Sequence, residues 1–313
     1  VQNGQLYGSL IDILRNSAPL MLVALGMTLV IATRGIDLSV GAIMAVSGAV
    51  ALTIIEASPE PGNLGVVAIA IAAGVGTSLV LGAWNGFLVA VLGIQPIIAT
   101  LVLMLAGRGV ALLITRGFIT TINSEPYQFM AQGYVFGLPF ALCVSVAAII
   151  VVAVVQRRTA LGMLTEAVGI NPEASRLAGV RSRGIIWGTY IASGTLAGIA
   201  GILYSSNIMA ADANAAGMYI ELDAILAVVL GGTSLAGGKF SIAGTVIGVF
   251  TIQTLKTTIT FLGVPPAVSP VFMAGAVLVV VLLQSRRVRG WFTSGRRPAA
   301  RPVSTRSDAK VLS

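Results

Sequence analysis

Residues 34–41 read RGIDLSVG, and they separate two hydrophobic stretches, APLMLVALGMTLVIAT at 18–33 and AIMAVSGAVALTII at 42–55. Charged side chains are costly inside a bilayer, so an arginine and an aspartate are unexpected within one continuous membrane helix. The interruption predicts a turn between two membrane-spanning helices. Asp37 is placed to start the second helix by accepting a hydrogen bond from a backbone N–H two or three residues further on.

The composition of the whole chain is that of a membrane protein. Of 313 residues, 56% are apolar and 10% are charged, and the mean hydropathy is +0.96. Soluble domains carry about 25% charged residues. The apolar stretches recur from one end of the chain to the other, which predicts one all-α domain, a polytopic bundle of transmembrane helices.

Windows of about 20 apolar residues predict where the chain crosses the bilayer. They indicate nine spans, at 18–33, 39–55, 64–82, 96–115, 136–155, 185–206, 222–237, 241–262 and 266–284. The stretch 83–93 is also apolar, and it either extends a long tilted helix or forms a re-entrant piece. Glycine recurs three or four residues apart within several spans, which predicts closely packed helices.

Basic residues accumulate in the segments that the positive-inside rule places in the cytoplasm. The loop 157–184 and the chain after 284 are rich in arginine, whereas the linkers 56–63 and 122–134 contain glutamate and neither arginine nor lysine. The C-terminus is therefore predicted to be cytoplasmic, and Lys239 to lie on the same side. The net charge of +8 indicates this topology and not nucleic-acid binding.

The same topology makes predictions for both ends of the chain. Nine crossings that end in the cytoplasm place residue 1 outside, so we expect a tenth helix upstream of this chain. The membrane domain is predicted to comprise residues 1–285. Residues 286–313, with proline, serine, threonine and arginine, are predicted to form a basic, disordered tail.

Catalytic and metal-binding groups are scarce. The chain has no histidine and a single cysteine, Cys143, which is interpreted as a small buried apolar residue. GGTSLAGGKFS at 231–241 resembles a phosphate-binding loop, but Thr233 and Phe240 stand where that motif needs glycine and a hydroxyl residue. We therefore predict that the chain is not an enzyme and holds no metal or cofactor.

Few ionisable residues fall at membrane depth, which favours an uncharged solute over an ion. The deep acids are Asp37, Glu221 and Asp223, whereas Arg108 and Lys256 have no acid at helical spacing. Arg108 either snorkels or pairs between helices. The role of Lys256 stays open.

The cytoplasmic loop predicts a short helix of its own. Asn171 and Pro172 suit a helix start, and Glu173 falls in the first turn, where it complements the helix dipole. Ala174, Leu177 and Ala178 then share one apolar face. Such an element either docks in a groove of a soluble partner or is a basic loop without a partner. Composition alone does not separate these two interpretations.

Four segments carry a resemblance to a known family. GMTLVIATRGIDLSVGAIMAVSGAV (26–50), IQPIIATLVLMLAGRGVALLIT (94–115), EAVGINPEASRLAGV (166–180) and ELDAILAVVLGGTSLAGGKFSIAGTVIG (221–248) resemble the permease subunits of bacterial sugar ABC importers of the ribose/xylose type. The resemblance extends from about residue 9 to residue 285. Within this family, GQLYGSLIDIL (4–14) and ADANAAGMYIELDAILAVVLGG (211–232) most resemble permeases for galactofuranose.

The resemblance implies a membrane location and a set of partners. It implies a multi-pass protein of the bacterial cytoplasmic (inner) membrane that works with a second permease, identical or different. It also implies a cytoplasmic ATPase, which binds the ATP and Mg²⁺, and a periplasmic or lipid-anchored sugar-binding protein. The solute implied is a neutral monosaccharide, with galactofuranose first and ribose or another pentose or hexose next, moved by alternating access. The alternative is a self-contained facilitator or ion-coupled carrier for a small polar solute.

The resemblance also assigns a role to the loop 157–184, which is similar to the family's coupling element. It implies that five residues contact the ATPase or shape that contact: Glu166, Gly169, Asn171, Arg176 and Gly179. This favours the docking interpretation of the loop.

Sugar contacts are not identified by the resemblance. By polarity and approximate depth, the candidates are Asp37, Ser39, Asn85, Asn214 and Asp223. Each has a structural alternative, since Asn85 can bond between helices and Asn214 can form a turn. Asp37 and Asp223 both precede apolar helices, and they are predicted to cap helices of opposite direction, as an inverted repeat would produce.

Overall fold

The computed structural model describes residues 8–263 together with 265, 268, 271, 272, 274, 275 and 278. The helices are α1 (Ser9–Ala32), α2 (Val40–Glu56), α3 (Leu64–Ala90), α4 (Pro96–Ile114), α5 (Glu125–Gln132), α6 (Phe140–Arg158), α7 (Ala160–Ile170), α8 (Pro172–Leu177), α9 (Ser182–Ile208), α10 (Ile220–Leu230) and α11 (Ile242–Phe261). The strands are β1 (Thr120–Thr121), β2 (Tyr134–Val135), β3 (Leu138–Pro139) and β4 (Ala210–Ala211). The predicted all-α class is confirmed for this part of the chain.

The predicted count of nine spans is not confirmed. Six helices of the described chain are long and apolar enough to cross a membrane: α1, α3, α4, α6, α9 and α11. The predicted spans 39–55 and 222–237 are instead the shorter helices α2, of 17 residues, and α10, of 11 residues. The predicted span 266–284 lies largely outside the described residues, and the predicted tail 286–313 lies wholly outside them.

The predicted span 222–237 is too long because glycine ends the helix early. α10 stops at Leu230, and Gly231 and Gly232 follow, the second with φ of 88°. A side chain on Gly231 would overlap the backbone of Gly244 in α11, so this turn packs directly on the next helix. Hydropathy counts such a glycine-rich turn as apolar, although glycine favours the end of a helix.

The stretch 83–93 belongs largely to a long helix, which settles one open alternative. α3 continues to Ala90, and the Trp187 indole N–H donates to the Ala83 carbonyl at 2.9 Å. A methyl group on Gly86 would overlap the Trp187 ring. The absence of a side chain at Gly86 therefore allows α3 to pack against α9 along this part of its length.

α9 lies at the centre of the bundle and packs against α1, α2 and α3. Small residues form these contacts, as the glycine spacing predicts. A methyl group on Gly194 would lie 2.6 Å from the Gly82 Cα, and one on Gly198 would overlap the Ser78 hydroxyl. Cys143, predicted to be buried, is only partly buried in α6.

The linkers predicted to lie outside meet at one end of the bundle. The Ser124 hydroxyl donates to the Pro61 carbonyl at 2.6 Å, and the Gln132 amide donates to the Asn207 carbonyl at 3.0 Å. β1 pairs with β4 at this end, with Thr120 opposite Ala211. We call it the outer end, and we call the opposite end, with α7 and α8, the inner end.

Two crossings of the bundle combine a short helix with non-helical chain. Residues 33–39 are non-helical, and α2 then runs to the outer end. Residues 209–219, the re-entrant segment, return from the outer end along α2, and α10 then runs to the inner end. Ala216 clusters with Ala45 of α2, and Gly217 contacts Gly41. The two helices thus start beside each other inside the bundle and run in opposite directions, the arrangement expected of an inverted repeat.

Asp37 lies deeper than a turn at the membrane surface would place it. Its carboxylate contacts Ser193, which is 11 positions after the start of α9 and hence about 16 Å along that helix. The predicted hydrogen bond from the Ser39 backbone N–H is present. However, α2 begins at Val40 with Ser39 as its N-cap residue, so Asp37 stands before the helix and not at its cap.

Candidate functional site

A network of buried polar side chains surrounds the start of α2. Asp37 Oδ1 accepts hydrogen bonds from the Ser39 N–H at 3.1 Å and the Ser39 hydroxyl at 2.6 Å. Asp37 Oδ2 accepts from the Ser193 hydroxyl at 2.9 Å, and the Asn85 amide donates to the Ser39 hydroxyl at 2.8 Å. All four residues are fully buried. The network joins the non-helical chain before α2 to both α3 and α9.

Two further polar groups face this region without partners in the described part of the chain. They are Asn85 Oδ1 and the Tyr190 phenol oxygen, and both side chains are fully buried. A methyl group on Gly35 would lie 2.5 Å from the Tyr190 oxygen, so this glycine makes room for the phenol. A buried polar group without a partner costs roughly 1–3 kcal/mol. The non-helical chain before α2 therefore has two buried polar groups beside it that can still form hydrogen bonds.

Arg108 holds the re-entrant segment in place. Its guanidinium, on α4, donates to the Ala213 carbonyl at 2.8 Å and to the Ala216 carbonyl at 2.5 Å. Carbonyl groups of non-helical chain need such donors at membrane depth, where lipid supplies none. Of the two alternatives for Arg108, snorkelling and pairing between helices, the structure shows neither as stated, because the guanidinium pairs with backbone carbonyls of a non-helical segment.

We expect Arg108→Leu to release the re-entrant segment. The substitution removes both hydrogen bonds, and buried carbonyls left unpaired cost roughly 1–3 kcal/mol each. The purified protein should unfold at a lower temperature than the parent chain. Arg116→Leu is the control, because Arg116 makes no side-chain hydrogen bond within the described chain. Equal unfolding temperatures for the two variants would contradict the role assigned to Arg108.

Asp223 forms an ion pair and does not cap a helix, which corrects the prediction. α10 begins at Ile220, with Tyr219 as its N-cap residue and no side-chain cap. The Asp223 carboxylate instead accepts from the Lys256 ammonium on α11. This contact also assigns a partner to Lys256. The two residues are 33 positions apart in the sequence, so a search for acids at helical spacing from Lys256 could not find this pair.

The structure brings three of the five candidate sugar contacts together and leaves two apart. Asp37, Ser39 and Asn85 form the buried network, whereas Asn214 is exposed in the re-entrant segment. The Asn214 N–H donates to Asp212 Oδ1 at 2.9 Å, as in the turn that was its structural alternative. Ser193 was missed, because a serine among small helix residues gives no distinctive signal.

The inner-end loop folds as the sequence predicts. Asn171 Oδ1 accepts from the N–H groups of Glu173 and Ala174 at 3.1 and 3.0 Å, and Pro172 is the first residue of α8. Arg176 pairs with Glu173 at 2.6 Å. The hydrogen bond and the charge of Arg176 lower the pKa of the Glu173 carboxyl. Gly179 follows α8 with φ of 86°, a left-handed conformation that favours glycine.

Gly169 connects this loop to the membrane helices. A methyl group on it would overlap the Ala32 carbonyl at the end of α1 and lie 2.6 Å from the Gly238 nitrogen. The Gly238 N–H donates to that same carbonyl at 2.9 Å, and the Arg34 guanidinium donates to the Ile170 carbonyl. α7, the end of α1 and the turn before α11 therefore meet at one point.

The loop presents apolar side chains that nothing in the described chain covers. The exposed fractions are 70% for Met163, 59% for Ile170 and 78% for Leu177. The predicted apolar face of α8, which includes Ala174 and Ala178, is exposed as a whole. We call Met163, Ile170 and Leu177, with the α8 face, the coupling surface. Glu166 is partly buried nearby, beside a cavity of about 290 Å³ that Arg157 and Phe240 also line.

These features define a multi-pass helical membrane protein with broken crossings and a helical loop at its inner end. Residues 9–282 match the family model described as "Branched-chain amino acid transport system / permease component". The chain belongs to this family of transport-system permeases.

Three relatives are named for sugars. The chain is 49% identical to the galactofuranose transporter permease protein YtfT of Escherichia coli (strain K12), over 92% of this chain and 82% of the relative. It is 42% identical to the fructose import permease protein FruF of Bifidobacterium longum (strain NCC 2705), over 95% and 83%. It is 38% identical to the ribose import permease protein RbsC of Bacillus subtilis (strain 168), over 89% and 85%.

No solved structure matches this chain significantly. The relatives confirm the resemblance found in the sequence. They also make the chain a transporter subunit of the inner membrane and not an enzyme, because permease subunits have no catalytic activity of their own.

Proposed function

We propose that this chain is one of two membrane subunits of an ATP-driven importer for a neutral monosaccharide. Galactofuranose is the first candidate, and ribose or another pentose or hexose is the next. The partner ATPase binds ATP and Mg²⁺ and docks on the coupling surface. A periplasmic or lipid-anchored binding protein delivers the sugar at the outer end. In this arrangement the inner end and the C-terminus are cytoplasmic.

The coupling surface is the observation that carries this proposal. Its exposed apolar side chains belong to short helices at the end of the bundle with the arginine-rich loop. Contiguous exposed apolar residues mark interaction sites, and a helix with an apolar face fits a groove. A carrier that works alone has no need of such a surface.

The choice of sugar is supported by the relatives and by the charge pattern. The relative with 49% identity is named for galactofuranose, whereas those named for fructose and ribose are 42% and 38% identical. Arg108 and Lys256 are engaged by carbonyls and by Asp223, so they are not free to bind an anionic solute. This favours a neutral sugar.

Loss of the ATPase from the complex is the expected result of Leu177→Asp. The exposed leucine contributes apolar contact area, and a carboxylate there would be desolvated on docking. The loss is measured as the amount of ATPase that co-purifies with the permease. The control is Phe136→Asp, an exposed apolar residue at the outer end with positive φ, which aspartate tolerates.

Two outcomes would contradict the proposal. The first is full co-purification and sugar-stimulated ATP hydrolysis with Leu177→Asp. The second is sugar uptake into vesicles that contain the permease without any ATPase, which would favour the self-contained carrier. Uptake of radiolabelled galactofuranose in competition with ribose then tests the sugar separately from the transport mechanism.

A further inference from the structure

One side of the re-entrant segment is left uncovered by the rest of the described chain. Asn214 and Ala215 are exposed, and Met218 and Tyr219 are each 54% exposed. We call these four residues the re-entrant flank. The opposite side of the segment is buried, because Ala213 and Ala216 pack against α2 and α4.

The re-entrant flank lies in the interior of the membrane domain. Gly217 contacts Gly41, the second residue of α2. From Gly41, α2 continues for about 22 Å to the outer end, and from Tyr219, α10 continues for about 16 Å to the inner end. The flank is therefore far from both ends of a hydrocarbon layer that is about 30 Å thick.

Non-helical backbone at this depth cannot face lipid. Hydrocarbon offers no hydrogen bonds, so irregular chain occurs in membranes only where it is buried in protein or lines a water-filled cavity. The regular surfaces of α3 and α6 differ in this respect, since their exposed residues stand on continuous helices. The re-entrant flank thus faces either a second protein surface or water.

Polar lining beside the flank favours water. A cavity of about 210 Å³ extends from Ala215 and Met218 and is lined by Asn16, Gln253 and the Asp223–Lys256 pair. The Lys256 side chain is 41% exposed. A dry protein interface over these groups would desolvate a charged pair. The free energy of desolvation is often larger than the attraction between the two charges.

Tyr219 combines exposure with backbone strain. It is the N-cap residue of α10 with φ of 61°, a conformation that is unfavourable for a bulky residue. Strain of this kind clusters at functional sites. A tyrosine offers a ring face to the apolar face of a sugar and a hydroxyl to its polar groups.

We propose that the re-entrant flank is a wall of the sugar path and that Tyr219 contacts the sugar midway through the membrane. The proposal rests on the proposed function of the chain as a sugar permease. It assigns Asn214 and Asp223 to the water-filled side of the segment. The network around Asp37 lies on the opposite side of the first turn of α2 and holds that turn in position.

Thiol labelling of the assembled importer tests whether the re-entrant flank lines a water-filled path. Cys143 is the only cysteine, so Cys143→Ser gives a permease without thiols. Tyr219→Cys and Asn214→Cys are then introduced singly, with Val80→Cys as the control. Val80 is 63% exposed on α3, two positions from Gly82. Gly82 packs against Gly194, which follows the Ser193 that bonds to Asp37, so the depth of Val80 is similar. The probe is a charged, water-soluble methanethiosulfonate applied to vesicles that contain the complex.

Both flank variants should react at least about tenfold faster than Val80→Cys, because thiolates form in water and not in lipid. Saturating sugar should slow the reaction at position 219. The proposal is overturned if both flank variants react as slowly as Val80→Cys, with and without ATP, in a complex that still imports sugar. Failure of the complex with the unsubstituted permease to import any sugar would instead contradict the proposed function.

Sugar contact by Tyr219 is tested separately by transport kinetics. Tyr219→Asn removes the ring but suits a left-handed conformation, whereas Tyr219→Phe keeps the ring. We expect the maximal rate of sugar uptake by the complete importer, measured at saturating sugar-loaded binding protein, to fall in Tyr219→Asn and to change little in Tyr219→Phe. Unchanged values in both variants would remove Tyr219 from the sugar contacts.

Discussion

Gly169→Ala should reduce ATP-driven sugar uptake by more than about tenfold, a factor that corresponds to 1.4 kcal/mol. The added methyl group overlaps the Ala32 carbonyl and approaches the Gly238 nitrogen. The hydrogen bond between those two groups would have to lengthen or break. Overpacking costs roughly 1–3 kcal/mol, and an unpaired buried carbonyl adds a comparable amount.

The measurement is uptake into vesicles that contain the complete importer, with the amount of membrane-inserted permease determined in parallel. Gly76→Ala is the matched control, because a methyl group on this helical glycine meets nothing within 4 Å. Gly184→Ala is a second control near the inner end, where the space is equally open. Uptake by Gly169→Ala at the level of both controls would show that α7 does not need this close contact.

Asp37→Ala is expected to abolish transport, and Asp37→Asn to retain part of it. Alanine leaves the Ser39 N–H and two hydroxyl groups without their acceptor in a fully buried place. Hydroxyl groups can turn to other acceptors, but the backbone N–H cannot. Asparagine keeps Oδ1 as an acceptor for Ser39, and its amide can donate to the Ser193 oxygen once that hydroxyl has turned.

Transport and protein level must be measured together to interpret this pair. A structural role predicts that Asp37→Ala lowers both the thermal stability and the amount of permease, with Asp37→Asn intermediate in each. Ser193→Ala should resemble a mild form of Asp37→Ala, because it removes one of the three donors. Complete loss of transport in both Asp37 variants at normal protein levels would instead indicate that the negative charge is required.

Local patterns in the sequence predicted local features of the fold well. The α8 start at Asn171 and Pro172 follows from the preference of these residues for the first positions of a helix, and it is confirmed. Close packing of α3 against α9 follows from glycine spacing. The hydrogen bond from the Ser39 N–H to Asp37 spans only two positions, so sequence reasoning found it as well.

Features that depend on distant contacts were not predictable from one sequence. Asp37 meets Ser193 across 156 positions, and Arg108 meets the carbonyl of Ala213 across 105. No periodicity links such residues. The re-entrant segment was missed for a different reason: it falls between the predicted spans 185–206 and 222–237, and its composition does not show that it returns along α2. Contact of the five candidate residues with sugar stays a prediction.

The shortness of α10 has a consequence for how the protein is made. With 11 residues, α10 measures about 16 Å and cannot enter a bilayer of about 30 Å by itself during synthesis. The re-entrant segment before it also contains carbonyls that lipid leaves unsatisfied until Arg108 is in place. Residues 209–230 therefore enter the membrane only after α4 and α9 have been inserted, so biogenesis of this permease ends with the folding of a segment between helices that already span the bilayer.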